Sequence, residues 1–414
     1  MARPRSPRLT PRVWRVAIVA SCLAFAALAM GSAADRLVTG RPDLARHIPA
    51  LFAAEALRSQ GRQLLEAGDA KGALVLGQAA VAQEPVDPGS TALLGAARFA
   101  LGDRTGAERA FTVAGKLGWR VPLTQLYWMG RALEGGDYRV AGLRLDALLR
   151  QKPALLKDRR LLDPMESDPR GRTAMVVRML ARPNWLKPYA DNVYDISSQA
   201  IQYRAMVLEE LALRGLTIGC AQIAPATSRL LDTGAVVRAA ALWRDHCPAA
   251  GTGLVSDGNF ANASLASATG PFAWTTTGDS DISLAFAPAA SGQRLVIEGA
   301  AQRDRVLLSQ LLVLPPGGYV LSWRAETASG TPTDHVRAAI GCAQQTKDWL
   351  PTNFDRQNRR WVARVTIGAD CAGHWLNFGV AANAGSVWLE QIALESSREQ
   401  STERDRYHTN SSMD

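Results

Sequence analysis

Three Gly-Asp pairs, Gly68-Asp69, Gly102-Asp103 and Gly136-Asp137, stand 34 residues apart, and an alanine follows each aspartate by four positions: Ala73, Ala107 and Ala141. A fixed period of this length means that one supersecondary unit is stacked on copies of itself, because a single unit cannot bury its apolar face alone. The spacing points to a binding scaffold rather than to a catalytic pocket.

Alignment of the units makes the repeat concrete. The first runs over 54–87, the second over 88–121, and the third starts at Pro122. Gly61 matches Gly95, Ala80 matches Ala114, Pro85 is echoed by Pro153, and Phe111 stands where the other units have Gly77 and Leu145. The third unit departs from the pattern, with Met129 at the early glycine and Gly130 one step late. Small residues let two antiparallel helices approach closely. Gly-Asp ends one helix and opens the turn, since glycine takes a left-handed backbone without strain. Pro85 and Pro153 stop the second helix of their units.

This pattern resembles the tetratricopeptide repeat, which implies an α-solenoid of helical hairpins over 48–153. The resemblance also implies a concave groove that binds a protein partner, with Gln125, Trp128 and Arg131 as contact residues on the helix 122–135. Trp128 is a core candidate before it is a contact. Helical signals continue over 154–247, read as a cap extending the solenoid. Asp168-Pro169 opens one helix there through an N-cap and a first-turn proline, and further helices are expected over 198–214, 218–232 and 235–246.

The net charge is +9, but Arg3, Arg5, Arg8, Arg12 and Arg15 supply five of those charges within an acid-free stretch, residues 1–34. What remains is no nucleic-acid footprint, which would need a basic stripe with exposed aromatics. The arginines precede an apolar run from Val16 through small residues to Ala34. This is an export signal with a cleavage-type Ser32-Ala33-Ala34 or an uncleaved membrane anchor; the run is just long enough to span a bilayer. Cys22 falls inside it. The other cysteines group as Cys220 with Cys247 and Cys342 with Cys371, one pair per downstream region. In an oxidising compartment each pair closes a loop of about 30 residues; four buried thiols are the alternative.

Composition shifts after Cys247. Short runs rich in Val, Leu, Trp and Thr recur over 254–396 between Gly, Pro and Asp clusters, at 271–277, 281–287, 293–299, 305–314, 318–327, 335–343, 359–367, 374–381 and 386–395. Tyr319, Leu321, Trp323 and Ala325 alternate with Ser322, Arg324 and Glu326, as in a half-buried strand. The fold class is therefore α then β, with a C-terminal antiparallel sandwich. Asp257-Gly258-Asn259-Phe260, Phe272-Ala273-Trp274, the turn 314–319 and Trp388-Leu389-Glu390 resemble the jelly-roll carbohydrate-binding modules of the galactose-binding-like superfamily. That resemblance implies glycan binding, and it makes Asp257 and Glu390 weak candidates for a structural calcium.

Sugars stack on flat aromatic rings while polar groups grip their hydroxyls. Trp349, in a loop-like stretch, is the expected exposed ring, with Asn353, Asp355 and Arg356 as polar contacts. The polar tail 397–414 reads as disordered. The five histidines are scattered, and no nucleophile elbow or phosphate-binding loop occurs. No catalytic residue, metal or cofactor is expected. Exported repeats joined to such a sandwich look like accessory factors of surface-polysaccharide assembly on the periplasmic side of a bacterial envelope. The alternatives are a purely protein-binding adaptor and a polysaccharide hydrolase.

Overall fold

The computed structural model describes residues 11–38, 40–248, 251, 253–263, 270, 272–277, 281–299 and 301–397. The first three arginines and the tail from 398 onward lie outside them. The chain divides into two compact units, residues 1–151 and 152–414.

The first unit opens with a long apolar helix, α1 (Pro11–Leu37), and two short 3-10 turns. Three helical hairpins follow: α2 (Ala54–Glu66) with α3 (Ala70–Gln83), α4 (Pro88–Ala100) with α5 (Arg104–Leu117), and α6 (Pro122–Glu134) with α7 (Tyr138–Gln151). The helix starts repeat the 34-residue period. Each hairpin turns at a left-handed glycine, Gly68, Gly102 or Gly136. The adjoining aspartate then caps the second helix: Asp69 accepts from the Gly72 amide at 2.8 Å, Asp103 from Gly106 at 2.8 Å, and Asp137 from Val140 at 3.0 Å.

Small residues set the helix spacing. A Cβ on Gly61 would stand 2.6 Å from the Leu93 side chain, and one on Gly95 would stand 3.0 Å from the Phe111 ring. Ala73, Ala80, Ala107, Ala114 and Ala141 are fully buried.

Among its described residues the second unit contains a 3-10 helix (Pro153–Lys157), six further α-helices and the sandwich. The helices are α8 (Arg159–Ser167), α9 (Pro169–Met179), α10 (Leu186–Asp191), α11 (Ser198–Leu213), α12 (Cys220–Asp232) and α13 (Val236–His246). Their centre is a buried charge cluster. Glu166 accepts from Tyr189 at 2.8 Å and from Arg204 Nε at 3.1 Å, and it also pairs with Arg159. Arg204 donates onward to the carbonyls of Tyr189 and Asn192. A disulfide, Cys220–Cys247, ties the start of α12 to the end of α13. Trp243 of α13 packs against Phe272 of the sandwich, ring centroids 6.2 Å apart.

Among the described residues the sandwich has ten antiparallel strands: β1 (Thr275–Thr276), β2 (Ile282–Ala289), β3 (Gly292–Gly299), β4 (Arg305–Leu312), β5 (Gly317–Thr327), β6 (Val336–Gly341), β7 (Thr352–Asp355), β8 (Arg360–Ile367), β9 (His374–Val380) and β10 (Val387–Ser396). Four form one sheet in the order β1-β4-β9-β6, and six form the other in the order β2-β3-β10-β5-β8-β7. Apart from the β2-β3 and β7-β8 hairpins, successive strands cross between the sheets, giving a jelly roll. Tyr319, Leu321, Trp323 and Ala325 face the core as their alternation predicts. Trp323 and Trp274 both meet the Phe378 ring edge-on.

A bulge in β10 between Glu390 and Ala393 interrupts its pairing with β5. On the other side of that bulge lies the segment 257–260: the Ile392 amide donates to the Gly258 carbonyl at 2.8 Å, and the Gln293 amide to the Asn259 carbonyl at 2.9 Å. Gly258 fits there because a Cβ would collide with the Ile392 carbonyl oxygen.

His246 is fully buried at the end of α13, its Nε2 2.9 Å from the Leu208 carbonyl. Burial pulls its imidazole below the usual histidine range, against smaller opposing pulls from the Leu208 carbonyl and Asp245. With the folded value lowered, the unfolded chain protonates first on acidification. The contribution to stability is therefore full above about 6.5, the ordinary histidine value, and is lost as pH falls through the folded value. The denaturation midpoint should fall between pH 7 and pH 5 more steeply in the native protein than in His246→Gln; equal slopes would contradict this.

Candidate functional site

Two surfaces offer binding chemistry. The first is an apolar groove of about 280 Å³ in the helical repeats, lined by Ala96, Phe99, Phe111, Leu123, Leu126, Tyr127, Gly130, Arg131 and Glu134. Tyr127 stacks on Phe111 with centroids 4.1 Å apart and meets Phe99 edge-on at 5.9 Å. Arg131 and Glu134 pair on this face. On α6, positions 123, 126, 127, 130, 131 and 134 form one helical face, while Thr124, Gln125 and Met129 are buried on another.

This corrects the contact set read from sequence. Gln125 is buried and donates to the Trp119 carbonyl, so it does not line the groove. Trp128 packs beside Phe111 and Tyr127 and directs its indole N–H to the Phe111 carbonyl at 3.4 Å. Arg131 does line the groove. The stripe Leu123-Tyr127-Gly130-Glu134 runs at i, i+4, i+7, i+11, and Gln125 and Trp128 stand one or two residues out of phase with it.

The second surface is the outer face of the six-stranded sheet. Val387 and Leu389 point into the core, so Trp388 between them points outward. It is half-buried, directly opposite Val296 on one side and Glu326 on the other. The guanidinium carbons of Arg294 and Arg324 lie 5.2 and 5.7 Å from its ring centroid. Arg324 also bridges two carboxylates, Glu326 at 3.1 Å and Glu390 at 3.0 Å, and Arg359 reaches Glu326 at 3.0 Å. An aromatic ring is thus set among oriented donors and acceptors on a rigid sheet. Where β10 bulges, a cavity of about 550 Å³ is lined by polar groups that include Asp257, Asn259, Asn262, Arg360 and Gln391. Arg360 donates to the Gln391 carbonyl, and burial, with Arg324 nearby, pulls its guanidinium below the usual arginine value.

The expected glycan residues are not brought together in this way. Loop 342–351, tied at its start by the Cys342–Cys371 disulfide, lies against the four-stranded sheet. Its Leu350 amide donates to the Ala338 carbonyl at 2.9 Å, and its Gln345 amide group to Thr277 at 3.2 Å. Trp349 is half-buried over Gly379, where a Cβ would stand 2.5 Å from the indole, so the ring closes this face instead of projecting from it. Asn353 and Asp355 belong to β7 in the other sheet. Asp355 spends its carboxylate on its own turn, accepting from the Gln357 amide at 2.9 Å and from the Asn358 side chain at 2.8 Å. Arg356 is exposed in that turn.

A shared calcium does not fit Asp257 and Glu390. Asp257 accepts from the Asn262 amide at 3.0 Å, while Glu390 is ion-paired to Arg324. A guanidinium already supplies the positive charge that a metal would bring. Cys342, Cys371 and His374 place ligand atoms within 4.8 Å of one another, but the two sulfurs are joined as the disulfide.

No model of a known protein family matches the chain, and no curated protein matches it. Among solved structures, 35% of the chain is similar to the enzymatically active domain of tailspike protein 4 of bacteriophage CBA120, at 12% identity and a TM-score of 0.25. The match spans 21% of that tailspike chain, about a fifth of its length. A proposed sugar binding protein from Bacteroides thetaiotaomicron is similar over 34% of this chain and 92% of its own, at 14% identity and a TM-score of 0.22. TmCBM61, solved in complex with β-1,4-galactotriose, is similar over 35% of this chain and 99% of its own, at 17% identity and a TM-score of 0.21. At such identities and scores the likeness carries no functional argument.

Arg324 neutralises two side chains that are each only 8% exposed. Breaking a mostly buried ion pair from one side strands the remaining charge. Arg324→Ala should therefore lower the unfolding free energy by roughly 2–3 kcal/mol in chemical denaturation; a loss under about 0.5 kcal/mol, typical of exposed pairs, would show that the bridge is loose.

Proposed function

We propose that this chain is a non-catalytic scaffold of the bacterial envelope, facing the periplasm. Its tetratricopeptide-like groove holds a protein partner, and its sandwich binds glycan on the outer face of the six-stranded sheet. The observation that carries the glycan reading is Trp388 with Arg294, Arg324, Glu326 and Glu390 around it. A sugar ring lays its C–H face on the indole, and the charged groups take its hydroxyls. The Arg294 contact over the ring is worth about 0.5–1 kcal/mol at an exposed site, small enough for a sugar to displace. Glu326 and Glu390 are both engaged by Arg324, which favours charge balance over the acid–base pair that glycoside hydrolysis needs. Such a pairing of modules suits an accessory factor of surface-polysaccharide assembly or export.

Titration of the full-length protein with envelope and exopolysaccharide fragments should show binding that Trp388→Ala weakens by about tenfold or more, a loss of some 1.4 kcal/mol. Trp349→Ala should leave affinity within about threefold. No binding to any glycan would sink the glycan reading and leave the adaptor, and turnover of polysaccharide by pure protein would sink both. For the groove, a photo-crosslinking residue at Leu126 should trap one envelope protein in cells. The same probe at exposed Arg139 should trap none, and equal trapping at both sites would reject the groove.

A further inference from the structure

The apolar helix α1 behaves differently along its length. Its large side chains stand free of the protein: Trp14, Val19, Leu23, Phe25, Leu28 and Met30 are between 52% and 74% exposed. Its last two turns are built into the repeats. A Cβ on Gly31 would stand 2.5 Å from the Phe52 ring, so the helix and the turn before α2 are in direct contact. Asp35 is 8% exposed and directs its carboxylate onto the first turn of α2. Oδ2 accepts from the Glu55 amide at 2.8 Å and Oδ1 from the Ala56 amide at 2.9 Å. The residue at the N-cap position of α2 is Ala53, which has no side-chain acceptor. Asp35 therefore supplies, from another helix, the cap that α2 lacks. Val38 just beyond is fully buried with Ala53 and Ala56.

We propose that α1 is retained in the mature protein as a single membrane-spanning anchor, and that its last two turns are the first structural element of the helical repeats, fastened by Asp35. The occupant of its exposed surface is the lipid bilayer. Of the apolar segment Trp14–Leu37, the part before Gly31 that stands free of the repeats is about 26 Å of helix, against a hydrocarbon core of about 30 Å and at the short end of the lengths that span one. Its exposed apolar residues occupy every side of the helix rather than one stripe, which fits lipid better than a groove on a partner. Arg15 at one end and Arg36 at the other place charge at both interfaces.

Cleavage after Ala34 opposes this packing in two ways. The bond lies inside a continuous helix, next to a buried side chain, so the helix must unwind before a peptidase can reach it. The cut would also leave an α-ammonium on Asp35, placing positive charge at the positive end of the α2 dipole where the carboxylate now sits. The proposal is independent of the glycan reading.

The test uses the full-length chain expressed in a bacterium and recovered from its membranes. Intact mass and N-terminal sequencing should show residues 1–34 retained, and alkaline carbonate should fail to extract the protein. A mature chain starting at Asp35 overturns the proposal. So does a full-length chain that carbonate releases as a soluble oligomer, which would make a second copy the occupant of α1. In detergent, Asp35→Ala should lower the melting temperature of the native protein by roughly 2–4 °C, the effect of losing one cap in a unit of this size. Asp35→Asn, which keeps one acceptor oxygen, should recover part of that. An unchanged melting temperature for Asp35→Ala overturns the fastening role even where the helix is retained.

Discussion

The close approach of helices at glycine governs the first unit. Gly61 of α2 receives Leu93 of α4 from the next hairpin, and Gly95 of α4 receives Phe111 of α5 within its own, so large side chains fill the gaps left at glycine both between hairpins and inside one. That contact fixes the interhelical distance and leaves the period no slack. The third hairpin breaks the rule. Met129 occupies the glycine position and is itself buried, while Gly130 moves to the groove, where a Cβ would meet nothing. The same shift leaves open ground beside Tyr127. The apolar groove is thus a by-product of the point where the repeat stops repeating.

In the sandwich the corresponding constraint is charge. The six-stranded sheet is covered on its inner face by the apolar core, and its outer face carries arginines and glutamates on alternate positions. Arg324 holds two of those acids at once. Around that bridge the strand bulges, the segment 257–260 fills the gap, and Arg360 closes on the Gln391 carbonyl. A ring that would be core if shifted by one residue stands on the surface instead.

Much of this was legible in the sequence because it repeats or alternates. The Gly-Asp turns announced themselves by period, and the β5 faces by two-residue alternation. The cysteines separated into pairs by region, and both pairs are disulfides. What was not legible needs knowledge of neighbours. Four-residue β7 is too short to show alternation, so nothing in the sequence marks Asn353 and Asp355 as strand residues. Trp349 and Trp388 are both tryptophans near turns; only the loop folding over Gly379 and the pairing of β10 decide which ring is lid and which is platform. Gln125 turns away from the groove because a helical face is fixed by its packing partner, and one residue of phase turns the side chain by about 100°. Asp35 follows the cleavage-type Ser32-Ala33-Ala34 in the sequence, where the run fits an export signal or an anchor alike, and no local pattern reveals a cap supplied to another helix.

Glu166 has a further consequence for how the second unit comes apart. Its carboxylate is shared by donors from α8, α10 and α11, and Arg204 in turn holds two backbone carbonyls at and just after α10. α8 and α11 cannot separate without stranding a charge in an apolar interior, which costs several kcal/mol, and α10 cannot leave without breaking the hydrogen bonds of Tyr189 and Arg204. Fraying, the usual first step for a set of short helices, is thereby suppressed. These segments should be lost together or not at all, making the region a single cooperative block.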